Sequence, residues 1–240
     1  MITSWWRVLV TLCAAASATG AHAAAPPLQV PDTIAQRVQA CTLCHGKEGR
    51  ATNEGYFPRI AGKPRGYLFN QLINFREGRR SNATMTYLVE HLSDAYLLEI
   101  AGYFSALDLP YPPPPPPPPA TPVTKQELAR GDALVHQGDA ARGIPACIAC
   151  HGALLTGAVP AIPGLLGLPR DYLAAQFGGW RTGQRKAALP DCMARITALL
   201  TPDDVSAVAT WLATQAVPSH AKPALAVALP LPIPCGSVGL

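Results

Sequence analysis

Charge is scarce in this chain of 240 residues, of which 14% are Asp, Glu, Lys or Arg. Neither half carries the basic stripe that nucleic-acid binding requires, so that class of partner is excluded. Strand-like alternation of apolar and polar residues is missing throughout, which leaves an all-helical architecture. Methionine is rarer still: only Met85 and Met193 stand beyond the initiator. Past the first residues no run is long and apolar enough to span a bilayer, which takes roughly 20 residues. Against these shortages stand 26 Pro and 20 Gly. Much of the chain must be loop, and its cores need something other than side chains to complete them.

The first residues form a secretory signal peptide over 1–23. Arg7 supplies the positive charge, Val8 to Ala16 the apolar stretch, and Ala21-His22-Ala23 the small-residue exit, with cleavage expected after Ala23. The apolar stretch is too short for a membrane anchor, and bulky Leu12 ahead of Cys13 argues against lipid attachment there. Export places the rest of the chain in an oxidising compartment. Six cysteines remain. Cys192 and Cys235 are free either to pair or to stay apart, because pairing depends on geometry that sequence does not give.

The other four occur in Cys41-Thr42-Leu43-Cys44-His45 and Cys147-Ile148-Ala149-Cys150-His151. Each is a C-x-x-C-H block, the attachment pattern of c-type haem. Two thiols add across the two vinyl groups of one porphyrin, and the adjacent histidine ligates iron from the same side. The expectation is two covalent haem c groups, held by Cys41 and Cys44 and by Cys147 and Cys150. His45 and His151 are then axial iron ligands. Met85 and Met193 follow at equivalent places in the two halves, after the second helix and before the third. They are the expected opposite ligands, and a thioether there favours ferrous iron. His91, His136 and His220 have no such symmetry and read as surface or structural residues. Pro58 and Pro163 offer backbone carbonyls to the Nδ1–H groups of the two haem histidines. Tyr67, Phe75, Tyr172 and Trp180 are expected to pack on the porphyrins. Arg76, Arg79, Arg80, Arg181 and Arg185 either pair with propionates or face solvent.

The halves are one unit written twice. FPRIAGKPRGYL (57–68) matches IPGLLGLPRDYL (162–173), FREGRR (75–80) matches WRTGQR (180–185), and LSDAYLLEIAGYF (92–104) matches LTPDDVSAVATWL (200–212). In the first half Asp32 is the expected cap of a helix carrying Ile34, Val38 and Cys41 on one face. Pro64 opens a second helix, a loop carries Met85, and Ser93 caps a third. In the second half Thr124 and Glu127 suggest a capping box. Pro169 opens the next helix, a loop carries Met193, and Thr201 caps the last. The boundaries expected are 24–111 and 124–217 for the two domains. A Pro-rich linker over 112–123 joins them, and a Pro- and Ala-rich irregular tail covers 218–240. Eight successive prolines form a polyproline II rod on the order of 25 Å long at about 3.1 Å per residue.

Taken together these motifs resemble the dihaem cytochrome c4 family, most closely in CTLCHG, FPRIAG and YLFNQL of the first half. The resemblance implies two tandem class I cytochrome c domains and a periplasmic carrier passing single electrons towards a terminal oxidase. Redox partners of that kind include a cytochrome bc-type complex, the oxidase or a dehydrogenase. Peripheral membrane association is a further implication. The proline run, the long tail and Cys192 beside Met193 depart from the family pattern, and the first argues against close packing of the two domains. The rival reading is the haem subunit of a periplasmic dehydrogenase complex. A peroxidase or gas sensor needs an open iron position, which Met85 and Met193 oppose.

Overall fold

Residues 30–52, 56–112, 123–225 and 230–238 are described by a computed structural model of the chain. The signal peptide and nearly all of the proline run lie outside the described residues. The first half contains α1 (Ile34–Arg37), α2 (Gln39–His45), α3 (Arg65–Arg76), α4 (Ala83–Val89) and α5 (Asp94–Ala106). The second contains α6 (Lys125–His136), α7 (Ile148–His151), α8 (Arg170–Arg181), α9 (Cys192–Leu199) and α10 (Pro202–Thr214). A fold with this much helix fits the class expected from the sequence. One small hairpin was not expected: β1 (Gly157–Ala158) pairs antiparallel with β2 (Ile162–Pro163). Strands of two residues are too short to show alternation.

Side-chain caps set most helix starts. Ser93 accepts from the Tyr96 N–H, and Thr201 and Asp204 form a reciprocal capping box at α10. Thr124 accepts from the Glu127 N–H, but the Glu127 carboxylate receives the Ser206 and Thr210 hydroxyls at 2.8 and 3.0 Å instead of closing a box. Glu127 thereby ties α6 to α10. At α1 the cap is Thr33 and not Asp32, because Asp32 is drawn into an ion pair with Arg37. Met85 and Met193 sit on helices and not on loops. Asn82 caps α4 by accepting the Met85 N–H at 3.0 Å, and Asp191 caps α9 by accepting from Ala194 at 3.0 Å.

Each half has its own core. Val38, Leu68, Phe75, Leu97, Ile100 and Phe104 centre the first, with Cys41, Tyr67, Leu72 and Met85 packed on it. Leu134, Val135, Leu173, Val208 and Leu212 centre the second. There α6 and α10 cross closely. A Cβ on Gly131 would stand 2.3 Å from the Ala207 carbonyl oxygen, so only glycine admits that approach.

The expectation that the proline run keeps the halves apart is corrected. Their α3 and α8 ends pair backbone to backbone: the Ser81 N–H donates to Gln184 at 2.8 Å and the Lys186 N–H to Arg79 at 2.6 Å. Gly66 at the start of α3 donates to the Pro160 carbonyl at 3.0 Å. The linker sequence sets reach, but the turns that end FREGRR and WRTGQR present unpaired backbone groups that satisfy one another. The tail is irregular where described, yet tied down. Ala224 bonds Gly157 and Val159, Gly236 donates to Pro190, and Asn70 of the first half donates to the Ser237 carbonyl. A Cys192–Cys235 disulfide joins it to α9, which answers the question the sequence left open.

Candidate haem sites

In the first half α2 ends on His45, and Gly46 turns the chain back at φ +75°. A Cβ there would stand 2.2 Å from the Ala51 carbonyl oxygen, so the reversal needs glycine. The loop then returns Pro58 over the imidazole, and His45 Nδ1 lies 2.8 Å from the Pro58 carbonyl oxygen. In the second half Gly152, at φ +82°, makes the same reversal after α7, and His151 Nδ1 lies 2.8 Å from the Pro163 carbonyl oxygen. An Nδ1–H donated to a carbonyl leaves Nε2 with its lone pair free for a metal. Both rings are buried, 9% and 8% exposed. Burial pushes their pKa values down and outweighs the carbonyl bonds that raise them, so both imidazoles stay neutral and able to ligate.

The thiols point to the same chemistry. Burial raises the pKa of Cys41 and Cys150, and pushes Cys147 up to about 11. Such thiols stay protonated at neutral pH in the folded chain. Both C-x-x-C pairs are unbridged, in contrast to Cys192 and Cys235.

All eight residues singled out from the sequence line one apolar cavity of about 1360 Å³: Cys41, Cys44, His45 and Met85 from the first half, and Cys147, Cys150, His151 and Met193 from the second. Tyr67, Phe75, Tyr172 and Trp180 line it too. His91 and His136 do not. His91 is 89% exposed beside Glu90, and His136 packs edge-on against Trp211.

The five arginines separate into two groups. Arg76 and Arg181 donate to the Leu92 and Leu200 carbonyls and brace the end of α3 to the start of α5 and the end of α8 to the start of α10; Arg79 bonds Asn74 and Glu77. Arg80 and Arg185 line the cavity and meet across the interface, sharing Gln71 and Gln176 as acceptors at 2.7–3.3 Å. Arg185 is 8% exposed, stacks on Trp180, and has its pKa lowered by burial and by Arg80. Neither arginine meets a carboxylate among the described residues. The Trp180 Nε1–H is buried without a partner. A cavity that is apolar over its walls, lined by neutral imidazoles, thioethers and thiols together with cations that lack carboxylate partners and an orphaned N–H, fits a flat apolar ring bearing carboxylates. Sequence reasoning missed Lys63, Gln71 and Gln176. The contrast of GKP with GLP in the repeat is the trace that marks Lys63.

Two C-x-x-C-H helices, each with its imidazole held by a proline carbonyl and a methionine lining the same cavity, define a dihaem c-type cytochrome. No family model matches the chain. It is 35% identical over 199 residues to the thiosulfate dehydrogenase electron acceptor of Thiomonas intermedia, covering 83% of this chain and 85% of that one. It is 32% identical over 211 residues to cytochrome c4 of Pseudomonas aeruginosa, covering 86% and 97%. The crystal structure of reduced cytochrome c4 from Pseudomonas stutzeri superposes with a TM-score of 0.63 at 28% identity, over 75% of this chain and 95% of that one. The chain belongs to the dihaem cytochrome c4 family. It is an electron carrier with two covalently bound haem c groups, and it performs no bond-making catalysis.

Proposed function

We propose that this protein accepts single electrons from a periplasmic dehydrogenase of the thiosulfate-oxidising kind and passes them towards a terminal oxidase. The observation that carries the reading is the pair of buried, neutral imidazoles, each 2.8 Å from a proline carbonyl on the wall of a shared apolar cavity. Cys41, Cys44, Cys147 and Cys150 carry the thioether bonds. His45 with Met85, and His151 with Met193, would be the residues that ligate each iron. When bound, haem iron supplies a one-electron ferric–ferrous couple. The protein's share is to hold the ligands, exclude water and set the potential. Pro58 and Pro163 fix the imidazole tautomer; the aromatic walls keep the site dry; Arg80 and Arg185 would hold haem carboxylates.

The domains are 24–111 and 124–217, and the signal peptide is removed after Ala23 on export. Among the described residues no helix is long and apolar enough to cross a membrane; the membrane contact proposed for this carrier is a peripheral one. The relative named thiosulfate dehydrogenase electron acceptor, which this chain matches over most of its length, supports this donor.

The test mixes the oxidised full-length protein with a thiosulfate dehydrogenase and thiosulfate, and follows the ferrous α-band. Reduction at both haems within the enzyme's turnover time is expected. Reduction by a quinol-driven bc-type complex, with none by the dehydrogenase, would assign the donor to the respiratory chain instead.

A further inference from the structure

Lys63 belongs to the first half by sequence and to the second by position. Its side chain is buried, 5% exposed, and Nζ donates at 3.0 Å to the carbonyl oxygen of Gly164. Gly164 follows Pro163, the residue whose carbonyl holds His151. The same segment is gripped again by the Gly66 N–H on the Pro160 carbonyl. Lys63 has no carboxylate partner among the described residues; its charged neighbour is another cation, Arg59. Burial and Arg59 lower its pKa to about 8, which still leaves the amine protonated at neutral pH. The matching position in the second half is Leu168, packed on its own core. The arrangement is therefore one-sided.

We propose that Lys63 is a positioning residue for the second haem, pinning the segment that holds His151 and placing a buried positive charge beside it, so that this haem is easier to reduce. The proposal rests on His151 being the axial ligand. The physical reason is that ferric iron carries one more positive charge than ferrous. A fixed cation nearby in a poorly screened interior raises the ferric state more than the ferrous. The hydrogen bond to Gly164 also couples the halves: the first half's AGK turn cannot shift without moving the loop behind the second haem's imidazole.

The experiment uses the full-length holo-protein and an NMR-monitored redox titration in which haem methyl signals are assigned to each half. In Lys63→Met the reduction equilibrium constant of the second haem should fall about three- to tenfold, tenfold being about 59 mV for one electron. The first haem should stay within about twofold. Lys63→Arg should restore the second haem's potential. Lys63→Gln keeps a donor for Gly164 without the charge and should show the same fall as Lys63→Met, which also serves if the latter fails to accumulate. An unshifted second haem in both neutral variants overturns the proposal. So does an equal fall at both haems, the mark of a general charge effect or of a propionate partner in the first half. A holo-protein with no covalent haem on Cys147 and Cys150 refutes the underlying reading of His151. Two intact haems with unmoved potentials refute the Lys63 assignment alone.

Discussion

The two halves hold the same imidazole the same way and hold themselves together differently. His45 and His151 each lie 2.8 Å from a proline carbonyl oxygen. Behind that shared geometry, the first half braces its terminal helix with Arg37, which pairs with Asp32 and Glu99 and lies over Tyr96. All of those contacts face solvent. In the second half the place of Tyr96 is taken by Asp204, whose side chain is 5% exposed beneath Arg130 and Arg142. The second half also carries the close crossing at Gly131 and the disulfide to the tail. The ligand geometry is set by a short local motif, so it survives duplication. The helix brace is set by long-range partners, which are free to diverge. One consequence is that acid and reductant should act on the second half and spare the first.

The disulfide should give the largest contrast. It closes a loop with a separation of 43 residues, and nothing like it exists among the described residues of the first half. In the chain-entropy account a loop of that size contributes about 4 kcal/mol. Replacing Cys192 and Cys235 with serine should lower the denaturant midpoint reported by the second haem and leave the first haem's midpoint in place. Equal loss at both haems would show that the halves unfold as one unit.

Asp204 comes next. Burial alone would raise its pKa, but hydrogen bonds from Arg142, the Thr201 N–H and Arg130 outweigh that and hold the carboxyl well below the usual carboxylate range. A depressed folded pKa means the contribution is complete above the unfolded carboxylate's pKa, about 3.9, and is lost as pH falls from there towards the folded value. Asp204→Ala should cost about 2 kcal/mol at neutral pH, because Arg130 and Arg142 keep only Asp139 as a carboxylate partner and the α10 capping box is lost. The gap between variant and parent should close in strong acid. A gap that held constant with pH would point to packing rather than charge.

Much of this molecule was legible in the sequence. The C-x-x-C-H blocks, the proline carbonyls and the repeat frame are local patterns, and the residues they single out all line the one cavity. Met85 and Met193 were expected on loops, because α4 and α9 are too short to show periodicity and are started by the Asn82 and Asp191 side chains. Asp32 looked like a cap until Arg37 competed for it. Lys63, Asp204 and the seam of Arg80 with Arg185 depend on partners far along the chain, or in the other half, and no local pattern announces those. The proline run misled for the same reason, since stiffness between two bodies says nothing about whether their surfaces match.

The remaining contrasts are smaller. Gly131→Val should destabilise by about 2 kcal/mol, since the added carbons must displace the α10 backbone at Ala207. Gly102 in α5 is the control: a Cβ there meets only the flexible Arg65 side chain, nearest at 3.4 Å. Gly102→Ala should therefore be neutral or slightly stabilising, by up to about 1 kcal/mol from helix propensity. Differential scanning calorimetry of the two variants checks both signs, and a costly Gly102→Ala would mean that α5 is packed as tightly as α10.

Arg37→Gln should have the smallest effect of all. Its partners Asp32 and Glu99 are 77% and 48% exposed, so water already screens most of what the guanidinium gains. Glutamine also removes the guanidinium from over the Tyr96 ring, a contact as open to water as the ion pairs. The thermal midpoint of the first half should hardly move, and the little that moves should vanish at high salt, where surface pairs are screened and buried ones are not. A large loss that persisted in salt would place Arg37 on the same footing as Arg130 and Arg142. It would mean that the first half's brace is buried in function although it is open to solvent in form.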